Sequence, residues 1–319
     1  MQIRKAVCRL LAAAGILSLG GACYGAYPEK PVEVIVAFQP GGGTDVAART
    51  VFKFAEKYFG QSYAIVNKPG ASGEIGWTAI ARGNPDGYTI GFINPPGFLI
   101  IPIQRPAAKY RLDNFDLIAN IVMDPGVIGV RPDSPYKTLN DLIEAEKKEP
   151  GKISIAYSGP GTSEALLLSR VERQSGVTLN KVPFDGSAPG MVALMGGHVE
   201  AVCMNLSECY TYIDDGNLRL VGVGSPEREA TVPDVPTYKE QGYDFIQASL
   251  RGVAAPKGLP KEALQAIENS LKKAVEDPEF QAKAKELQMP LRFMGSEEYT
   301  KFLNDMNQDL QKEWETNPW

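Results

Sequence analysis

The sequence has a single histidine, His198, and only four cysteines among 319 residues. One histidine cannot supply the partners that a catalytic triad or a histidine-based metal site needs. The sequence also lacks the Gly-Lys-Ser/Thr P-loop, the Gly-x-Gly-x-x-Gly dinucleotide fingerprint and the Gly-x-Ser-x-Gly nucleophile elbow. We therefore expect no enzyme activity, no cofactor and no metal site.

An excess of positive charge is missing too, because 33 Lys and Arg face 38 Asp and Glu, which gives a net charge of −5. Nucleic-acid binding needs a basic face, so we expect no nucleic-acid partner. The one notable apolar run, Leu10–Leu19, is too short for a permanent membrane span. Hydrophobic residues at 44% and charged residues at 22% are ordinary for a globular protein, and the length suits two lobes.

The N-terminus is typical of a secretory signal peptide over residues 1–26. Basic residues precede Leu10–Leu19, and a cluster of small residues follows it. Cleavage after Ala22 or Gly25 fits the small-residue rule better than cleavage after residue 26. A lipid anchor on Cys23 is disfavoured, because Gly20 stands where such signals place Leu. We expect export to the periplasm.

Two of the four cysteines, Cys8 and Cys23, lie in this leader. The exported chain keeps Cys203 and Cys209, six residues apart. An oxidising compartment permits a disulfide between them, and buried inert thiols are equally compatible with the sequence. The sequence leaves both states open.

Strand-like and helix-like segments alternate from Pro31 onward. The run Val32–Phe38 is β-branched and apolar, typical of a buried parallel strand. Ala47, Val51, Phe54 and Tyr58 follow at helical spacing and predict the buried face of a helix. This rhythm predicts an α/β protein with parallel sheets.

Three glycine-rich loops each follow a predicted strand and open a predicted helix: Gly41–Thr44, Gly70–Gly73 and Gly159–Ser163. Free N–H groups and the helix dipole favour an anion at such helix starts, and loops of this kind lie at the carboxyl ends of strands. Three such ends could converge on one carboxylate. The alternative is that each loop is an ordinary strand-to-helix turn.

Two arginines have different expected roles. Asp45 and Arg49 stand four apart on the first helix, which predicts a structural ion pair. Arg251 lies in an extended segment before Pro256. It could hold a distal carboxylate with both arms of its guanidinium or bridge the lobes in an ion pair, and the sequence favours neither role.

An ordered set of short motifs spans nearly the whole exported chain. It comprises Tyr27-Pro-Glu-Lys-Pro31, Gly41-Gly-Gly-Thr-Asp45, Asn67-Lys-Pro-Gly-Ala-Ser-Gly73, Pro85-Asp-Gly-Tyr88, Phe184-Asp-Gly186, Gly196-Gly-His-Val199, Val235-Pro-Thr237 and Gly252-Val-Ala-Ala-Pro256. As a set, the motifs resemble the Bug proteins, which are the substrate-binding components of tripartite tricarboxylate transporters.

The resemblance implies a periplasmic receptor with two α/β lobes that close on a small carboxylate like a Venus flytrap. It implies that residues 27–127 plus 247–319 form one lobe and residues 128–246 the other, joined by two crossover segments. The expected partners are the ligand and the membrane subunits of a transporter, and we expect a monomer. A ligand-sensing subunit that docks on a signalling receptor is the alternative.

The predicted ligand contacts fall into two groups. The first-lobe loops would hold one carboxylate through backbone groups and waters, and the second lobe would contact the distal end. The first-lobe residues are Phe38, Gly42, Gly43, Thr44, Asp45, Gly70, Ala71, Ser72, Gly73 and Arg251. The second-lobe residues are Ser158, Thr162, Ser163, Phe184, Asp185, Asn205 and Glu208.

Four positions depart from the usual pattern of the family: Gln39, Lys68, Glu74 and Trp77. An acid at residue 74 near a carboxylate loop is unfavourable unless its side chain points away. These departures affect the ligand rather than the fold, and the sequence does not identify the ligand. Aromatic residues at Phe38, Phe184 and Tyr210 fit an aromatic acid or a simple core equally well.

Overall fold

The computed structural model describes residues 27–184, 186–316 and 318. The predicted signal peptide over residues 1–26, with Cys23, lies outside the described residues. So does Asp185, one of the predicted ligand contacts. Among the described helices, none has the length and hydrophobicity to cross a bilayer.

Strands and helices alternate through most of the described chain. The strands are β1 Val32–Val36, β2 Tyr63–Asn67, β3 Thr89–Ile93, β4 Phe115–Val130, β5 Ser154–Tyr157, β6 Asn180–Pro183, β7 Ala201–Asn205, β8 Arg219–Val223, β9 Ala248–Pro256 and β10 Leu291–Gly295. The helices are α1 Gly43–Phe59, α2 Glu74–Ala81, α3 Gly97–Gln104, α4 Leu139–Lys148, α5 Ser163–Ser175, α6 Ser187–Met195, α7 Tyr210–Asp214, α8 Lys261–Glu276, α9 Pro278–Glu286 and α10 Ser296–Thr316.

The strands form two sheets that share β4. In the first sheet the order is β2-β1-β3-β9-β4, and β10 pairs with β4 as well. In the second sheet β4 continues into β7-β5-β6, and β8 also pairs with β4. We call the layers around these sheets the first and second lobe. The fold is the two-lobed α/β architecture that the sequence predicted.

Two chain segments cross between the lobes beside each other. Strand β4 pairs with β9 as far as Pro125 and with β7 from Gly126 onward. The backbones of Gly126, Gln247 and Gly224 then close a ring of three hydrogen bonds of 2.9 Å each. A Cβ at Gly224 would lie 2.2 Å from the carbonyl oxygen of Gln247, so this close approach requires glycine. The lobe boundaries at 127/128 and 246/247 remain our prediction, next to this ring.

Each lobe has two hydrophobic clusters, one on each face of its sheet. In the first lobe, Phe52 and Phe92 belong to one cluster, while Trp77 and Phe98 belong to the other. The second lobe repeats this arrangement. Leu166 of α5 packs into the Trp77 cluster, so a second-lobe helix contacts the core of the first lobe.

The structure corrects three sequence-based expectations. The sheets are mixed rather than parallel, because the crossover strands β4 and β9 run antiparallel to their neighbours. Helix α3 and strand β10 were not predicted; α3 contains Pro102, which argues against a helix from sequence alone. The buried face of α1 is also rotated, since Tyr58 is 42% exposed and its hydroxyl donates to Asp277.

Cys203 and Cys209 are free thiols in the structure, and both are fully buried. The Sγ of Cys203 donates to the carbonyl oxygen of Glu164 at 3.7 Å, and the Sγ of Cys209 donates to that of Asn205 at 3.4 Å. Burial raises the pKa of each thiol well above its ordinary value. Neither cysteine therefore has the properties of a reactive thiol.

We predict that a chain beginning at Tyr27 shows no reactive thiol in the native state and two after unfolding in guanidinium without reductant. The native thiols are protonated and out of contact with water, so a disulfide-exchange reagent cannot attack them. Titration with a chromogenic disulfide reagent makes the measurement. Finding no thiol after unfolding would mean that the pair is oxidised to a disulfide.

Candidate functional site

The first glycine loop is braced by Asp45 of α1. Its carboxylate accepts hydrogen bonds from the N–H of Gly41 and the Nε of Arg49 at 2.9 Å each, and from the Nδ2 of Asn67 at 2.8 Å. Burial acts to raise the pKa of Asp45, but the hydrogen bonds from Arg49, Gly41 and Asn67 hold the pKa below its ordinary value. The predicted Asp45–Arg49 pair is present, and the carboxylate serves the loop rather than facing a ligand.

This bracing leaves the start of α1 uncapped. Gly42 is the N-cap and supplies no side-chain hydrogen bond. The N–H groups of Gly43, Thr44 and Asp45 have no acceptor within the helix, and the helix dipole favours negative charge beside them. This helix start can therefore bind an anion.

Asn94 is a candidate site residue that the sequence analysis missed. It follows β3, at the same edge of the sheet as the loop after the parallel strand β1. Its Nδ2 donates to the hydroxyl of Thr44 at 2.9 Å, while its buried Oδ1 has no partner among the described residues. Its position at the carboxyl end of a strand was the available signal.

The second loop is strained. Gly70, Ala71, Ser72 and Gly73 all have positive φ, with values of 129°, 49°, 58° and 101°. Such angles cost Ala and Ser about 1–2 kcal/mol each. Strain of this kind persists where the surrounding structure imposes it and is concentrated at functional sites. Here Trp77 helps to impose it, because its ring lies 2.6 Å from where a Cβ of Gly73 would stand.

Three of the four residues that depart from the family pattern, Lys68, Glu74 and Trp77, have structural partners. The Glu74 carboxylate pairs with Arg105 at 3.1 Å, and Lys68 pairs with Glu33 at 2.9 Å. The edge of the Phe38 ring packs on Trp77 with a centroid distance of 5.9 Å. The acidic charge beside the second loop is thus compensated by Arg105, and Phe38 is a half-buried wall of this region.

Arg251 connects the start of α1 to the crossover. Its side chain is 11% exposed, and both Nη atoms lie 3.2 Å from Asp124 Oδ2. A Cβ at Gly43 would lie 3.2 Å from Nη2 of Arg251, so the guanidinium stands directly beside the first residue of α1. Asp124 in turn accepts from the N–H and hydroxyl of Ser207 at 3.0 and 2.5 Å. The link between the lobes therefore passes through Asp124 and not through Arg251 alone.

The third glycine loop differs from the expectation that it offers its helix start to an anion. The Thr162 hydroxyl donates to the carbonyl oxygen of Gly159 at 2.8 Å and accepts from the N–H of Ala165 at 3.3 Å. Ser163 Oγ donates to the carboxylate of Glu164 at 3.3 Å. The first turn of α5 is capped by its own side chains.

Glu164 is a second residue that the sequence analysis missed. It is 5% exposed, and Asn205 Nδ2 donates to its Oε1 at 3.2 Å. Burial, followed by the charge of Glu208, raises its pKa to about 7. Glu208 accepts from the N–H of Asn205 at 2.9 Å and from the hydroxyl of Ser187 at 2.7 Å. These residues make an acceptor-rich cluster in the second lobe.

The other predicted contacts lie at this same edge of the second sheet. Ser158 is half-buried after β5 and Phe184 half-buried after β6, where its N–H donates to the carbonyl oxygen of Tyr157 at 2.9 Å. The lobes touch here, because a Cβ at Gly97 would lie 3.6 Å from the carbonyl oxygen of Gly161. The loops at the carboxyl ends of the two sheets thus approach each other, and we call the space between them the interlobe cleft.

Two α/β lobes, joined by adjacent crossovers, with polar residues at the carboxyl ends of their strands, define a solute-binding protein of the periplasmic type. The model of the tripartite tricarboxylate transporter receptor family matches residues 47–313, and the chain belongs to that family. Receptors of this family bind solutes outside the cytoplasm for the membrane subunits of a transporter, and they are not enzymes.

Named relatives agree with this assignment. The UPF0065 protein in the gbd 5′ region of Cupriavidus necator is 30% identical over 308 residues, which cover 95% of this chain and 94% of that protein. BugT of Bordetella pertussis is 32% identical over 253 residues, or 78% of each chain.

Solved structures agree as well. A ligand-free TctC solute-binding protein from Polaromonas has a TM-score of 0.80 at 31% identity and covers 90% of this chain and 98% of its own. MatC of Rhodopseudomonas palustris, with bound malate, has a TM-score of 0.74 at 26% identity and covers 91% and 99%. A second R. palustris protein, with adipate, has a TM-score of 0.74 at 25% identity and covers 91% and 96%.

We predict that Asp45→Asn lowers the free energy of unfolding at pH 7 by about 2 kcal/mol, because the hydrogen bonds to a charged acceptor are weakened. The wild-type stabilisation is present above the ordinary pKa of 3.8 and is lost as pH falls through the lower folded pKa. Urea unfolding at pH 7 and at pH 3 should therefore show that the free energy of unfolding falls less between these two pH values in the variant than in the wild type.

Arg49→Gln is the control for this prediction. Its side chain is 50% exposed, so its removal should cost less than the change at Asp45. Equal losses for the two variants would show that the ion pair itself, rather than the bracing of the loop, carries the stability.

Proposed function

We propose that this protein is an extracytoplasmic receptor that binds a small carboxylate and delivers it to the membrane subunits of a tripartite transporter. One observation carries the proposal: the uncapped start of α1 stands beside the guanidinium of Arg251 in the interlobe cleft. Free N–H groups, a helix dipole and a planar cation are the groups that suit a carboxylate. The malate and adipate bound to the two R. palustris proteins support this ligand class.

The proposed carboxylate lies between two backbone segments of the first lobe. In this proposal residues 42–45 and 70–73 supply backbone N–H groups to the carboxylate. The Asn94 amide fixes the orientation of the Thr44 hydroxyl beside the carboxylate. Phe38 and Arg251 complete this end, while residues 158–163, 184–187 and 205–208 contact the distal end. The strain in the second loop supports this placement, because strained backbone of this kind is concentrated at functional sites.

The proposed mechanism is a shift between open and closed lobes. A ligand that touches both lobes stabilises only the closed form, and the membrane subunits then bind that form. The two crossovers at Gly126 and Gln247 are the hinge. In this proposal residues 1–26 direct export, and their cleavage releases a periplasmic monomer.

We predict that one small acid raises the melting temperature of the chain from residue 27 onward, while its amide does not. A ligand at about 100 times its dissociation constant stabilises a fold by about 2.7 kcal/mol. A thermal-shift screen of C4 to C6 dicarboxylates, citrate, amino acids and aromatic acids, on protein refolded after dialysis under denaturing conditions, makes the measurement.

Arg251→Lys should weaken binding of the acid found in this screen about tenfold or more, because lysine keeps the charge beside Asp124 but loses the planar fork. Arg131→Lys is the matched control, since Arg131 donates to the backbone of Leu194 and Val199 within the second lobe. Titration calorimetry compares the two variants. Equal affinity in wild type and Arg251→Lys would remove Arg251 from the site, and a refolded protein that binds no acid would overturn the proposed function.

A further inference from the structure

The starts of α1 and α5 face the cleft from opposite lobes, but they differ in whether protein side chains cap them. The start of α1 has no side-chain cap. The start of α5 has the Thr162 hydroxyl as its cap and the Glu164 carboxyl in its first turn. An acidic group is the natural occupant of a helix start. The anion position of the second lobe is therefore already taken by the protein itself.

The second-lobe cluster offers acceptors rather than donors. Asn205 is 8% exposed, its Nδ2 is engaged by Glu164, and its buried Oδ1 has no partner among the described residues. Glu164 and Glu208 form no ion pair with any lysine or arginine of the described chain. Glu164 is hydrogen-bonded by Ser163, Thr162, Asn205 and its own N–H, and the exposed Glu208 by Ser187 and Asn205. A buried acceptor without a donor is costly, so a ligand donor that reaches Asn205 Oδ1 would complete this cluster.

The cluster is continuous with the carboxylate end of the cleft. Asn205 of β7 pairs with Gly126 of β4, two residues after Asp124. Ser207 then reaches Asp124, and Asp124 holds Arg251 beside Gly43. A row of polar contacts thus runs along the crossovers from the start of α1 to Glu164.

We propose that the ligand is a monocarboxylate whose other end is an ammonium group, with its carboxylate at the start of α1 and its ammonium hydrogen atoms donated to Glu164 and Asn205. This inference rests on the proposed function, because it assumes that the first lobe binds a carboxylate. A dicarboxylate would bring a second negative charge against Glu164 and Glu208, and like charges at short range repel. An ammonium group supplies three donors and the compensating charge.

Proton linkage follows from the burial of Glu164, whose pKa is about 7 in the absence of a ligand. An ammonium neighbour favours the ionised carboxylate, so binding below pH 7 releases a proton. The affinity should then rise with pH by up to about tenfold per unit below pH 7 and level off above it. The surrounding groups are Glu208, the Cys203 thiol, which burial keeps protonated, and the Asp124–Arg251 pair.

The experiment compares acids of equal length by titration calorimetry at pH 6 and pH 8. The pairs are γ-aminobutyrate with glutarate and δ-aminovalerate with adipate. The proteins are wild type, Glu164→Gln and the control Glu146→Gln. Glu146 of α4 is also a buried second-lobe carboxyl, at 2% exposure, but it accepts from the backbone N–H groups of Gly151 and Ile153 in the segment after α4.

We expect wild type and Glu146→Gln to bind an amino acid at least tenfold more tightly than its matched dicarboxylate, with tighter binding at pH 8. Glu164→Gln should lose this preference and the pH dependence, and buffers of different ionisation enthalpy should no longer report proton release. Tighter binding of the dicarboxylate to the wild type, or an unchanged preference in Glu164→Gln, would overturn the inference and leave the carboxylate receptor intact.

If the wild type binds none of these four acids, the thermal-shift screen of a wider set of acids tests the inference. The inference is overturned when the tightest acid in that screen carries a second carboxylate, and it is supported when that acid carries an ammonium group and loses affinity in Glu164→Gln. If no acid of any kind binds the refolded protein, the proposed function fails, and the inference fails with it.

Discussion

The buried carboxylate of Asp124 is the contact on which the meeting of the two lobes depends. It is 0% exposed and stands in β4 where that strand leaves the first sheet. Arg251 reaches it from β9 and Ser207 from the segment after β7, so its partners come from both lobes. A buried charge deprived of its partner costs roughly 3–5 kcal/mol. Satisfying this one carboxylate therefore sets the position of Arg251 in the cleft and of the second lobe against the first.

Opening the lobes has to preserve this contact or replace it with water. The ring formed by Gly126, Gln247 and Gly224 holds the two crossovers together, so bending is confined to a short stretch of backbone. Arg170 of α5 adds a second tie, with Glu313 of α10 at 3.1 Å and side-chain exposures of 12% and 19%. Under the proposed mechanism, the lobes already share these contacts, so a ligand would supply only the remaining difference in free energy between the open and closed forms.

Local patterns predicted the α/β class and the positions of the glycine loops, while the two-lobed architecture was predicted from the family resemblance. The β-branched run of β1 and the glycines before α1 are legible without tertiary information. Tertiary packing explains the errors. Pro102 sits inside a helix because the apolar residues around it are buried, and Tyr58 turns outward to reach Asp277. Glu164 was missed because an acid in a first helical turn is also ordinary capping chemistry, and only its burial distinguishes it.

An acidic protein can attract an anion only through local geometry, since its net charge of −5 repels one at a distance. Under the proposed function, helix starts serve that purpose, and the two lobes differ in how their helix starts are occupied. In α1 the neighbouring acid, Asp45, is turned into the loop and the helix start stays open. In α5 the neighbouring acid, Glu164, stays at the helix start. Under the proposed function, the same backbone device binds negative charge in the first lobe, while the second lobe presents negative charge through Glu164.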